Sequence, residues 1–129
     1  MPTPHPTEGE LAILQVLWDR VAPCTVREVH EALSRRKDTA YTTVLKMMTI
    51  MADKGLVHRD ESERSHRYAY AHKRPAVQKV LVKDLLTRAF SGSALQLVQR
   101  ALDVDAPDAA ELDAIARLIV DAKARRAKR

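Results

Sequence analysis

The 129-residue sequence predicts a mostly α-helical protein with one small β-hairpin, three helices before the hairpin and three after it. Apolar residues recur with a helical period over most of the chain, and the period changes to that of strands only between Leu56 and Tyr70. Only 3 glycines and 4% aromatic residues leave too few turn formers and rings for a sandwich or a barrel. With 46% apolar residues, the chain has the means to build a core. At this length a domain buries roughly two-thirds of its unfolded surface.

The elements follow in order. Thr7-Glu8-Gly9-Glu10 has the pattern of a capping box and opens the first helix, with Leu11, Leu14, Leu17, Trp18 and Val21 at helical spacing. Trp18 is expected in the core, and Pro23 is expected to stop the helix. Thr25-Val26-Arg27-Glu28 repeats the capping pattern and opens a second helix with Val26, Val29 and Leu33 on one face. After the polar turn Arg35–Asp38, a third helix is expected from about Ala40 to Lys54, closed by Gly55. Val44, Met48 and Met51 form its apolar stripe. Leu56–Arg59 and His66–Tyr70 read as paired strands around the polar stretch Asp60–Ser65. Val77, Leu81 and Leu85 mark a fourth helix, ended by Gly92. Ala94, Leu97, Val98, Ala101 and Leu102 mark a fifth. Pro107 precedes a sixth, with Leu112, Ile115, Ala116 and Ile119 expected to face inward.

Several function classes are set aside by what is missing. The single cysteine, Cys24, leaves no internal disulfide and fits a reducing cytoplasm. No run of about 18 apolar residues predicts membrane insertion. Met1 to Thr7 has three prolines and no apolar stretch, unlike a signal peptide. His58, His66 and His72 alternate unevenly along the hairpin, and with Cys24 they make a poor metal set because strand neighbours face opposite ways. No nucleophile pairs with a base at motif spacing, and no glycine-rich phosphate loop exists. The expectation is no enzyme, no cofactor and no metal.

The charge points to a polyanion. The net charge is +5, with clusters at Arg35-Arg36-Lys37 and at Arg64, His66 and Arg67, and five cations in the last seven residues. For that tail, solubility and the helix dipole are sufficient reasons. Helix, turn, helix, turn, helix, hairpin is the order of a winged helix-turn-helix, whose last helix before the hairpin enters the major groove. Opposite the apolar stripe of the third helix lie Thr42, Thr43, Lys46, Thr49 and Asp53, with Tyr41 in the first turn. Hydroxyls and an ammonium can bond phosphates or base edges there. Arg64 and Arg67 in the hairpin can reach the neighbouring backbone. From pattern alone, an ordinary solvated helix start remains open, as does a module that binds protein.

Ala40-Tyr41-Thr42-Thr43-Val44-Leu45, Lys54-Gly55-Leu56-Val57 and Arg64 through Tyr68 resemble the penicillinase-repressor (BlaI/MecI) family of bacterial transcription regulators. The stretches Glu10–Trp18 and Thr25–Val29 fit as well, and the resemblance spans about residues 7–120. It implies a dimeric repressor of a two-fold symmetric DNA operator. Tyr41, Thr42, Thr43 and Lys46 would face the groove, and Arg64 and Arg67 would lie in the wing. It also implies a helical dimer, for which Leu81, Leu85, Leu97, Leu112, Ile115 and Ile119 are the candidate contacts. Some members are inactivated by a regulatory protease system; the corresponding bond here is Arg100–Ala101. Those members have Asn-Phe at that place, so this chain departs from them. Copper-responsive relatives end in Cys-x-Cys, which this basic tail lacks. Ile50 departs too, standing where relatives often have a polar or basic residue.

The expected organisation is therefore a winged-helix DNA-binding domain over residues 1–74 and a helical dimerisation domain over 75–129. A winged-helix module binding an acidic partner, and a regulator sensing a small molecule between its lobes, are the competing readings. A steep salt dependence of duplex binding would separate the first from the module. Loss of DNA binding on adding a ligand, with the chain intact, would favour the sensor.

Overall fold

A computed structural model describes residues 2–128. Helix α1 spans Glu8–Arg20 and α2 spans Val26–Ser34. Both expected capping boxes form: the Glu10 amide donates to the Thr7 hydroxyl at 3.2 Å and the Thr7 amide to the Glu10 carboxylate at 2.9 Å. Thr25 and Glu28 repeat this at 3.2 and 2.8 Å. Helix α3 spans Tyr41–Lys54. It closes on Gly55, whose φ of 85° puts it in the left-handed region where a Cβ is unwelcome. The Leu56 amide then reaches back to the Met51 carbonyl at 2.9 Å, turning the chain into the hairpin.

Strands β2 (Val57–Asp60) and β3 (Arg67–Tyr70) pair antiparallel, with His58 opposite Ala69 and Arg59 opposite Tyr68. A third strand was not expected. Cys24 and Thr25 form β1 and pair with Tyr68 and Arg67, so β3 is central in the order β1-β3-β2. Two residues are too few to carry a period, so only the fold reveals β1.

The core joins Ile13, Leu14 and Leu17 of α1, Val26 and Val29 of α2 and Val44, Met48 and Met51 of α3. Leu56, Val57 and Tyr68 close it from the sheet side, and Val77 of α4 (Arg74–Ala89) completes it. Two expectations for α1 fail. Val21 is 81% exposed and lies past the helix end, which comes at Arg20 before Pro23. Trp18 sits at the core's edge; its indole N–H donates to the His72 carbonyl at 3.0 Å, and the Arg74 guanidinium lies 5.3 Å from its ring centroid. Ile13, absent from the expected stripe, is fully buried, and Trp18 packs against the core only partly buried.

Two compact units divide the chain between Asp84 and Leu85, within α4. The first three turns or so of α4 thus belong to the N-terminal unit: Val77 is fully buried and Leu81 is partly buried against the same core. In the second unit, α5 spans Ala94–Val104 and α6 spans Ala109–Ala127, capped by Ser93 and Asp108. Neither helix has a buried residue. Leu112 and Ile119, expected inward, are 43% and 50% exposed in the single chain. The basic tail is regular helix to Ala127. Arg129 lies outside the described residues.

Candidate nucleic-acid interface

Helix α3 is fixed from both ends. At its start, the ring of His30 on α2 bonds the Thr39 carbonyl at 2.7 Å and meets the Tyr41 ring edge-on at 5.6 Å. A carbonyl only accepts, so Nε2 is the protonated nitrogen in this contact. At its end, Lys54 donates to the buried Glu10 carboxylate at 2.6 Å, tying the last turn of α3 to the first turn of α1. Burial opposes the charge on Glu10, but the bonds from Lys54 and Thr7 outweigh it and hold the carboxyl below its ordinary value. Neither tie was legible. The spacing marked Glu10 only as a capping residue, and nothing local linked it to a lysine 44 positions away.

Between these anchors the helix is two-faced. Val44, Met48 and Met51 are fully buried, while Thr42, Thr43 and Lys46 are exposed. The buried stripe thus holds the polar stripe outward. Tyr41 has a double role, half-exposed and braced by His30. The start of α3 has no side-chain cap, because Ala40 stands where α1, α2, α5 and α6 have Thr, Thr, Ser and Asp. The first amides of a helix have no partner within it, so an uncapped start suits an anion. Arg35, Arg36 and Lys37 are exposed in the turn just before it.

The hairpin arginines separate in role. Arg64 is exposed in the loop between β2 and β3. Glu61 and Glu63 share that loop and Asp60 ends β2 beside it, so it is not uniformly basic. Asp60 accepts from the Ser62 amide at 2.9 Å, which lowers its carboxyl below the usual range. Arg67 belongs to β3 and lies 3.6 Å from Glu28, linking the central strand to the capping box of α2. Arg59, which spacing did not single out, is held at 2.7 Å by Glu61. A side-chain bond to Tyr68 is the main cause that raises its guanidinium above the ordinary value.

A groove of about 950 Å³ runs between α1 and the turn into α3. Ala12, Val16, Leu33 and Met47 make its apolar floor. Its rim mixes Arg35, Arg36 and Lys37 with Glu8, Asp19 and Asp38, and Asp19 already binds Arg74 at 3.0 Å. No single sign of charge prevails there. Cys24 is buried, and burial pushes its thiol up, away from the reactive thiolate. Among the described residues, no group of His, Cys, Asp or Glu is placed to hold a metal ion, and no helix is long and apolar enough to cross a membrane.

Arg100 and Ala101 lie in the middle of α5, both exposed, with Arg100 3.2 Å from Asp103. Leu85, Leu97 and Ile115 are half-exposed or partly buried in the single chain, as Leu112 and Ile119 are exposed.

Comparison with known proteins bears on the whole of this arrangement. The family model described as penicillinase repressor matches residues 6–121. The chain is 39% identical over 115 residues to a protein named transcriptional regulator BlaI in two strains of Mycobacterium tuberculosis. The match covers 89% of this chain and 83% of that protein. The matched span runs from the residue before the first capping box to within the last helix, and on it the chain belongs to the penicillinase repressor family.

Proposed function

We propose that the chain is a DNA-binding transcriptional regulator, a homodimeric repressor that recognises a two-fold symmetric operator in the cytoplasm. Its family and its similarity to a transcriptional regulator support the general reading. The observation that carries it is the two-faced α3: an exposed stripe of Thr42, Thr43 and Lys46 backed by three fully buried side chains, behind an uncapped helix start. Tyr41, Thr42, Thr43 and Lys46 make the base and phosphate contacts in the major groove. Arg64 reaches the adjacent backbone, and Arg67 does so while bracing Glu28.

The DNA-binding role belongs to residues 1–74 with the turns of α4 that pack on them; the rest of 75–129 dimerises. The support is that α5 and α6 bury no residue within one chain while Leu95, Leu118 and Val120 are each more than 60% exposed. Exposed apolar surface of this kind is costly unless another surface covers it. Leu85, Leu97, Leu112, Ile115 and Ile119 are the proposed contacts, with Leu81 shared with the N-terminal core. Arg100–Ala101 is the candidate bond for a regulatory protease. It sits in helix, so cleavage would need α5 to open first.

The test is enrichment of duplexes from random sequence by the full-length chain, followed by binding across a salt series. A palindromic site bound by two chains, with affinity falling steeply in salt, is the expected result. A shallow salt dependence with no enriched sequence would leave the protein-binding module as the better reading.

A further inference from the structure

We infer that Ile50 is a specificity-determining residue that reads the 5-methyl group of a thymine in the operator. This rests on the DNA-reading function proposed above. Thr43, Lys46 and Ile50 follow at i, i+3 and i+7 on α3, so they share one outward stripe. That stripe lies away from Val44, Met48 and Met51. Its two halves differ in chemistry. The first half offers the Thr42 and Thr43 hydroxyls and the Lys46 ammonium. In the second half, the Thr49 hydroxyl donates to the Leu45 carbonyl at 2.9 Å, so its proton is committed within the helix. Beside it, Ile50 is 42% exposed. Ahead of the exposed Asp53 at its end, the second half therefore presents a branched apolar side chain where the first presents hydrogen-bonding groups.

The major-groove edge of DNA carries one apolar group, the thymine methyl. Phosphate oxygens would gain nothing from Ile50, and a base-edge donor or acceptor would lose its water against it. A helix rises about 1.5 Å per residue, so Ile50 stands about 10.5 Å beyond Thr43 along the axis. For a helix lying along the groove that is about three base steps of 3.4 Å. The thymine read by Ile50 should thus stand on the order of three steps from the base nearest Thr43.

The experiment uses the full-length chain and its enriched duplex. Each thymine is replaced in turn by deoxyuridine, which lacks only the methyl. One or two replacements should weaken binding about fourfold, the factor for one buried methyl-sized group. The same replacements should have no further effect on Ile50→Ala, and should retain most of their effect on Ile50→Val. Ile50→Ala melting near the wild-type temperature would place the change in recognition and not in folding. Methyl sensitivity that persists in Ile50→Ala, or a site with no sensitive thymine, overturns the inference and leaves the DNA-reading function standing. Failure to enrich any sequence overturns both.

Discussion

Val21 is the one apolar residue of the α1 pattern that the fold turns to solvent. Its φ is 65° and ψ is −32°, and the Ala22 amide bonds the Arg20 carbonyl at 2.7 Å, closing a three-residue turn. A β-branched residue at positive φ is strained. Val21 is also exposed, so little packing would be lost on replacing it. Val21→Gly should raise stability by on the order of 1 kcal/mol, since such strain costs about 1–3 and glycine returns part of it as chain entropy. A lower melting temperature would mean that the valine contributes packing.

The same scale separates reading from folding on α3. Met48→Ala should cost about 2–5 kcal/mol through a core cavity. Thr43→Ala should leave melting unchanged but lose about 1–3 kcal/mol of discrimination between operator and mismatched sites. Affinity for random DNA should hardly move, because that term is electrostatic. If the combined Thr42, Thr43 and Lys46 alanine variant folds and keeps its sequence preference, the first half of α3 does not read DNA. Glu10 is one source of pH dependence. Its carboxyl is held below its ordinary value in the fold, so its contribution is complete above the unfolded Glu range and is lost as pH falls through the lowered folded value. Glu10→Gln should cost about 1.5–3 kcal/mol at neutral pH, the range for bonds to a charged group. The gap to wild type should close in acid. A constant gap from pH 7 to 3 in denaturant titrations would contradict this.

At the scale of elements, caps and anchors divide the labour. Helices α1 and α2 carry their own start signals, and both capping boxes formed where the sequence placed them. Helix α3 lacks a side-chain cap at its start and is positioned from outside, by His30 at one end and Glu10 at the other. The hairpin makes a parallel distinction between its two arginines. Arg64→Ala should weaken specific and random DNA alike and flatten the salt slope by about one unit. Arg67→Ala should do the same and also loosen the β3–α2 link through Glu28, lowering the melting temperature slightly. Equal melting for the two variants would show that the link contributes no stability. A change in base preference with an intact slope would make the hairpin a reader of sequence instead.

At the scale of the molecule, the N-terminal unit has a core and the C-terminal unit does not close one. Sedimentation at micromolar concentration should give a dimer for the full chain. Residues 1–84, which keep Val77 and Leu81 in place, should be monomeric and bind a full operator weakly. A monomeric full-length chain would leave the exposed leucines unexplained.

Six helices and a hairpin, their order, the capping boxes of α1 and α2 and the glycine that closes α3 were legible from the sequence, because helical period, capping pairs and a terminal glycine are local signals; the Ser93 and Asp108 caps were not. The polar and apolar faces of α3 were legible too, since a stripe is written at i, i+3 and i+4. Tertiary structure alone decided what depends on distant residues meeting. The two-residue β1 exists only because β3 lies beside it. Ile13 is fully buried and Trp18 only partly, because burial depends on which face of α1 meets the other elements of the core. Lys54 became the partner of Glu10 across 44 residues. The first turns of α4 joined the N-terminal core because Val77 finds its apolar neighbours there, and no feature of residues 74 to 84 read alone could specify which side of the chain would cover it.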